Sequence, residues 1–267
     1  MRRITVITPC LNSERYIEHT LRTVAMQRED GIEVEHLVID GGSTDGTSDL
    51  VTKYQHPDTQ HIISKDGGPA EAINKGLKIA TGDYLCWLNS DDFYEPHALV
   101  RAIEALEKHP HKAFCFGHCP IINEDGVEIR KAITWVKELC YPLSSRPIIR
   151  TVNYISQPAM IFRRSAFEKT GLLRTDLHAA WDYDFTLRLW AYGGGVRVHR
   201  PALAYFRWTP QSISGQGYER QFAEEFECAR ENAGDWALST LLHRVFRWGI
   251  VFCYGHMTRR LSNESRR

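Results

Sequence analysis

Net charge is the first thing this chain lacks: 33 basic and 33 acidic side chains leave its 267 residues formally neutral. A duplex binder ordinarily shows a basic excess or a basic face, so no nucleic-acid partner is expected from the overall balance. Paired cysteines are missing too. The seven cysteines form no C-x-x-C pair and their number is odd, which argues against a disulfide framework and a cysteine zinc site and for reduced, mostly buried thiols. No apolar run reaches the ~18 residues of a spanning helix. The few apolar positions before Pro9 are too short for a signal peptide, so the expectation is a soluble, cytoplasmic protein.

What is present is ordinary globular chemistry, 43% hydrophobic and 25% charged. In the first hundred residues strand-like runs alternate with helical spacing. Ile4 to Thr8, His36 to Asp40, Ile62 to Ser64 and Tyr84 to Leu88 read as strands. Tyr16 to Met26 (behind an Asn12/Ser13 cap signal), Asp49 to Tyr54, Ala70 to Ala80 and Pro96 to Lys108 read as helices, with Pro69 and Gly82 bracketing the third. This βαβαβαβ order predicts an α/β fold: a Rossmann-like domain with a mixed, mostly parallel central sheet covered by helices. Ligands in such sheets bind at the carboxyl ends of the strands.

Asp40, Asp66, Asp91 and Asp92 fall at or just after those predicted ends. Asp and Gly are also common turn residues, which is the plain alternative for Asp40 and Asp66. The adjacent pair is harder to explain that way. Two neighbouring carboxylates repel, and placing them after an apolar strand is disfavoured unless a cation or strong donors offset the charge. Hard oxygen ligands suit Mg²⁺ or Mn²⁺ bridging carboxylates to substrate phosphates.

Five segments, taken in order, carry a family resemblance: Val6 to Asn12, Val38 to Thr47, Asp66 to Gly76, Ala80 to Asp92 and Trp181 to Arg188. Together they resemble the serial motifs of family 2 glycosyltransferases over roughly residues 1–210. The resemblance implies the A-type nucleotide-sugar fold, a divalent metal (Mn²⁺ or Mg²⁺), and inverting transfer of a sugar from a nucleotide donor, first of all a UDP-sugar, to an acceptor hydroxyl. Polysaccharide or glycolipid biosynthesis would be the setting, with a carbohydrate or lipid-linked saccharide as acceptor. Carried over by position, Pro9 lines the base pocket, Asp40 accepts from the base, and Asp66 with Gly67 lies along the nucleoside and diphosphate. Asp91 contacts ribose or metal and Asp92 holds the metal. Asn89 stands where many relatives have Asp, one charged ligand fewer. Asn74-Lys75-Gly76 also matches, although Asn74 could merely cap neighbouring groups.

The second half is expected to form the acceptor side. Ala113 to Gly117 and Val127 to Trp135 read as hairpin-like runs around an Asn-Glu-Asp-Gly turn at 123–126. Gln157 and Arg163 or Arg164 are polar candidates there, with a basic-edged strand as the alternative. Inverting transfer needs a general base. By resemblance Asp182 takes that role and Asp184 competes for it, while Trp181 replaces a neighbouring acid and could stack on a sugar. If the segment opens a helix, its first-turn carboxylates could instead serve the helix dipole. Arg207 and Ser212 are placed to reach phosphate, Arg207 alternatively stacking among aromatics, with Gly215 and Gly217 as lid hinges.

The expected division is a catalytic domain over 1–217 (nucleotide-binding half 1–110, acceptor half 111–217) and a helical C-terminal extension over 218–267. Residues 239–267 hold six arginines and one glutamate, so the first 238 carry the opposite excess. A basic, aromatic-rich helix at 239–261 could lie on the inner face of a membrane, or pack on its own domain or a partner chain, and an oligomer is possible. Two other classes stay open: a nucleotidyltransferase, which would want a glycine-rich basic loop where Pro9 to Asn12 stands, and a non-catalytic sugar-nucleotide scaffold, which would lack a base or metal carboxylate.

Overall fold

The fold is seen in a computed structural model that describes residues 2–28, 31–210, 212, 215 and 218–248. Four strands alternate with three helices at the start: β1 Arg2–Cys10, α1 Ile17–Ala25, β2 Ile32–Asp40, α2 Thr47–Tyr54, β3 Thr59–Ile63, α3 Pro69–Ile79 and β4 Tyr84–Trp87. β1 is hydrogen-bonded in parallel to β2 and β4, and β2 to β3. These strands read as nearly continuous apolar runs because both faces are covered. Ile7, Leu37, Trp87 and Phe162 bury one face, and Ile4, Val6, Cys86 and Leu99 the other.

Helix α4, Ala98–Lys108, follows the short β5, Phe93–Tyr94. The remaining strands are β6 Phe114–Gly117, β7 Ile121–Ile122, β8 Glu128–Ile129, β9 Met160–Arg163, β10 Gly195–Val198 and β11 Ala204–Arg207. The large sheet runs β10-β6-β9-β4-β1-β2-β3, and a small one β5-β11-β7-β8. Only β9 opposes its neighbours in the large sheet, pairing antiparallel with β4 and β6, so the sheet is mixed and mostly parallel. That reversal brings the start of β9 to the carboxyl end of β4. The helices of this half are α5 Lys131–Cys140, α6 Arg146–Thr151, α7 Arg164–Thr170, α8 Trp181–Tyr192 and α9 Tyr218–Ala233. Within the extension the described residues 218–233 and 238–248 are helical, and α9 lies against α8 and α6.

Two expectations change. Residues 131–135 are helical, so the strand-like run from Val127 stops after Ile129. The turn at 123–126 does form, closed by Val127 N–H donating to the Asn123 carboxamide oxygen at 2.8 Å. Asn12 and Ser13 do not cap α1 with their side chains; the Ser13 carbonyl accepts from the Tyr16 and Ile17 N–H groups instead. Helix α3 approaches β1 closely enough that a Cβ on Gly76 would sit 2.6 Å from Ile7 Cγ2. The next residues of that motif are structural as well: the Asn74 carboxamide exchanges two 2.9 Å hydrogen bonds with the Leu173 backbone.

Candidate active site

The carboxyl ends of β1, β2 and β4 are tied together before any ligand is considered. Asn12, held at φ +50°, accepts the Thr44 N–H on its side-chain oxygen at 2.8 Å. Ser13 N–H donates to Thr47 Oγ1 at 2.7 Å, and the Ser13 hydroxyl lies 2.7 Å from that of Ser90. Pro9 is buried in β1 beside Ile39. Asp40 is buried, and its Oδ1 accepts from Gly42 N–H (2.9 Å) and Ser43 N–H (2.7 Å) while Oδ2 accepts from the Ser48 hydroxyl (3.0 Å). Burial pushes its pKa up, but these bonds to the ionised form outweigh it and hold the carboxyl below its ordinary value. His61 Nε2 stands 3.4 Å from the same Oδ2. Both oxygens of Asp40 are thus engaged by its own turn. Asp66, half-buried, accepts the Gly68 N–H at 3.0 Å and packs against Gly41, where a Cβ would meet its Oδ2 at 3.0 Å. Gly67 is exposed beside it, its N–H donated to Glu71 at 2.8 Å.

The adjacent acids after β4 divide their labour. Asp92 is fully buried, accepting the Arg207 N–H at 2.8 Å on one oxygen and the Asn89 carboxamide at 3.2 Å on the other. Asp91 is half-buried, and among the described residues no other side chain donates a hydrogen bond to its carboxylate. Burial pushes the Asp91 carboxyl up to about 6, and burial together with the Asp91 charge pushes Asp92 well above the usual range. This reverses the order expected from sequence: Asp91 presents the free carboxylate, and Asp92 is an internal strut.

Arg207 is likewise committed. Its Nε donates to the Asp91 carbonyl at 3.0 Å, and its terminal nitrogen to the carbonyls of Asn123 (3.0 Å) and Glu124 (2.8 Å). It stacks 4.6 Å from the Tyr16 ring. Through these bonds the guanidinium pins the turn at 123–126 onto the acidic segment. Ser212 turns its hydroxyl to the Thr209 carbonyl at 2.7 Å. Gly217 lies outside the described residues.

The acceptor end is assembled from helices. The Gln157 carboxamide donates to the Trp87 carbonyl at 2.8 Å, where β4 ends. Trp181 is buried with its ring 5.9 Å from that of Trp87, so it is core and offers no sugar-stacking face. That contact packs the start of α8 against Trp87 of β4. Asp182 is in the first turn of α8 and accepts the Tyr183 N–H at 2.7 Å. Burial pushes its carboxyl up to about 6, against the pull of that N–H and of the Lys137 charge. Asp184 is not available: Arg188 donates to it at 2.9 Å and Arg174 stands 4.0 Å away. Arg163 and Arg164 are spent at the opposite end of the strands, on the carbonyls of Leu106, Lys112, Ala80 and Gly82.

Three residues of this end were missed from sequence. Glu224 on α9 accepts the consecutive N–H groups of His178, Ala179 and Ala180 at 2.9, 2.7 and 3.2 Å, fixing the entry to α8. Its neighbour Glu225 is buried, bonded to Asn153 and Gln221 at 3.1 Å each. Burial, with the Asp182 charge adding to it, pushes Glu225 up to about 7. Lys137 on α5 donates to Ser156 Oγ at 3.1 Å, and burial lowers its pKa despite the favourable charges of Glu225 and Asp182. An acidic helix pattern at 218–233 carries no signal of which acid turns inward.

A mostly parallel sheet with a tied loop cluster and one free carboxylate at its carboxyl edge defines an A-type nucleotide-sugar-binding fold. The protein family confirms the class: residues 5–171 match the model of glycosyl transferase family 2, and the chain belongs to that family. An uncharacterised glycosyltransferase of Nostoc sp. is 28% identical over 77% of this chain and 64% of its own length. The poly(ribitol-phosphate) beta-N-acetylglucosaminyltransferase TarS of Staphylococcus aureus is 27% identical over 77% of this chain and 35% of its own. The chain thus spans about a third to two thirds of these relatives. The structure of TarS residues 1–349 with UDP-GlcNAc superposes with a TM-score of 0.70 at 22% identity, covering 87% of this chain and 66% of that one. A mannosyltransferase of Pyrobaculum calidifontis with GDP-Man and Mn²⁺ gives 0.63 at 19%, covering 96% and 76%.

Among the described residues no three His, Cys, Asp or Glu side chains converge as a metal cluster. The donor set still fits a hard divalent cation of the kind that takes one or two carboxylates and completes its shell with phosphate and water. Asp91 provides a carboxylate whose ionised form is disfavoured by burial, the condition a cation relieves.

Proposed function

We propose that the chain transfers a sugar from a nucleoside-diphosphate donor, UDP-linked in the first instance, to the hydroxyl of a carbohydrate or lipid-linked saccharide, with inversion at the anomeric carbon. The observation that carries the reading is a pair of half-buried, perturbed carboxylates, Asp91 just after β4 and Asp182 beside Trp181, whose ring meets Trp87 of the same strand.

In this reading the nucleoside lies over Pro9, Asp40 and Asp66 and the diphosphate over Gly67 and Asp91. Asp91 would hold the divalent metal, which when bound offsets the charge of the departing diphosphate. Asp182 takes the proton of the acceptor hydroxyl as its oxygen bonds to the anomeric carbon and the bond to the diphosphate breaks. A base poised near 6 is ionised at neutral pH yet basic enough to accept that proton. Gln157, bonded to the β4 end, supports the acceptor side of the cleft and Trp181 anchors the helix that presents Asp182.

A panel of nucleoside-diphosphate sugars, with and without Mn²⁺, tests the donor half by thermal unfolding. A ligand at ~100 times its dissociation constant adds about 2.7 kcal/mol of stability. A metal-dependent rise with one UDP- or GDP-sugar supports the reading; no rise with any of them rejects it.

A further inference from the structure

Residues 238–248 form a helix whose amphipathic pattern is turned inside out. Its polar side chains face the body: Thr240 is 0% exposed and donates to the Gly234 carbonyl at 2.9 Å, while His243 is 4% exposed with Nδ1 2.8 Å from the Arg150 carbonyl. Leu238, Leu241, Leu242 and Val245 line the opposite side, at helical spacing, and stand in solvent. Val245 is 67% exposed, and Trp236, just before the helix, 89%. A helix packed on its own domain shows the reverse arrangement.

The exposure is concentrated. Of the eighteen large apolar side chains exposed among the described residues, seven lie in 236–248 and four in 135–143. Isolated exposed leucines need no explanation, but a contiguous patch marks a contact surface. The second group, Trp135, Val136, Leu139 and Leu143, is the outer side of α5 and the turn after it, the same helix that sends Lys137 inward to Ser156. Helix α6, about 9 Å long, separates the groups: it begins just after Leu143, and its Arg150 carbonyl is the one His243 meets. The two groups therefore flank α6.

We propose that residues 236–248 and the outer side of α5 dock this protein on an anionic lipid bilayer. Charge selects that occupant. Residues 236–248 contain Arg244 and Arg247 and no Asp or Glu, and 239–267 carry six arginines against one glutamate. Arg244 and Arg247 lie 5.4 and 5.8 Å from the Phe226 ring, on the side of the helix that meets α9. Two-fold contact with a second copy would bring two acid-free segments of the same positive charge together. Anionic headgroups supply the missing charge, and tryptophan suits the boundary between headgroup and acyl chain.

Vesicle co-sedimentation of the full chain tests this, using phosphatidylcholine alone and phosphatidylcholine mixed with phosphatidylglycerol. Binding is expected only with the anionic vesicles and is expected to weaken as salt is raised. The double change Val245→Glu and Phe246→Glu lowers binding about tenfold or more. Trp236→Ser, outside the helix, and Trp135→Glu on α5 each lower it as well, which guards against a helix that fails to form. All these side chains are exposed, so each variant should keep the wild-type unfolding midpoint. Equal pelleting with both vesicle types, or binding that the substitutions leave intact, overturns the proposal. So does a wild-type dimer in light scattering that Val245→Glu makes monomeric without any vesicle binding. None of these readouts uses donor turnover, so failure here and failure of the transfer reading are separable.

Discussion

The two ends of the cleft, proposed here to take the donor and the acceptor, are built by different means. The donor end comes from loops that leave consecutive parallel strands, all within residues 9–92, and it is held by short bonds between neighbouring loops such as Ser13 to Thr47 and Ser90. The acceptor end draws Lys137, Gln157, Asp182 and Glu225 from segments far apart in sequence, and it is held by single side chains reaching between helices. Strand ends fix position through the ladder, whereas helix packing leaves position to contacts such as Glu224 with three successive N–H groups. Damage to the first end should therefore remove ligand binding, and damage to the second should tune chemistry and stability.

Asp91→Asn gives the largest effect expected of that contrast. Removing the free carboxylate should abolish metal-dependent stabilisation by the donor and lower turnover about 10²–10³-fold, the range for loss of one preorganised electrostatic group. Nucleotide-sugar melting curves with Mn²⁺ check it, and undiminished stabilisation would return the metal role to Asp92.

Lys137→Met tests the acceptor end. Lys137 lowers the pKa of Asp182, so its removal raises a base already at about 6. The acid limb of the rate–pH profile should move upward by up to about one unit, roughly a tenfold loss at pH ~5, with donor binding unchanged. A limb that stays in place breaks the link between α5 and the base.

Glu225→Gln has a thermodynamic sign. The folded state holds this carboxyl protonated to about pH 7. The unfolded chain releases its proton near the ordinary glutamate value of ~4.3, so the wild type loses stability as pH rises from there through 7. The glutamine variant should lose less over that window, by on the order of 2–3 kcal/mol. Unfolding midpoints from pH 5 to 8 measure it. Glu224→Ala comes last, costing about 1–3 kcal/mol through the three N–H groups it leaves unpaired.

The same contrast explains what the sequence disclosed. The βαβ alternation was legible because each strand is buried on both faces and each helix carries its own apolar spacing, so Ile4, Leu37 and Leu85 announce their elements locally. Asp40, Asp66 and Asp91 were findable as acids at strand ends. Their division of labour was not: only the fold shows Arg207 N–H closing on Asp92 and leaving Asp91 free. Trp181 and Asp184 looked like ligand groups because residue type says nothing about which side of α8 meets Trp87 or Arg188. The stretch after Ile129 resembled a strand because Ile133, Trp135 and Val136 are good strand formers; packing of Thr134 and Lys137 against the body makes it helix α5 instead.

Asp182→Asn, assayed for Mn²⁺-dependent release of nucleoside diphosphate alongside donor-induced thermal stabilisation, tests the central claim most directly. The account predicts that the variant keeps the wild-type stabilisation while release falls about 10²–10⁴-fold, and that wild-type release declines as pH drops through about 6. A variant that releases nucleoside diphosphate at the wild-type rate would contradict it and place the base elsewhere.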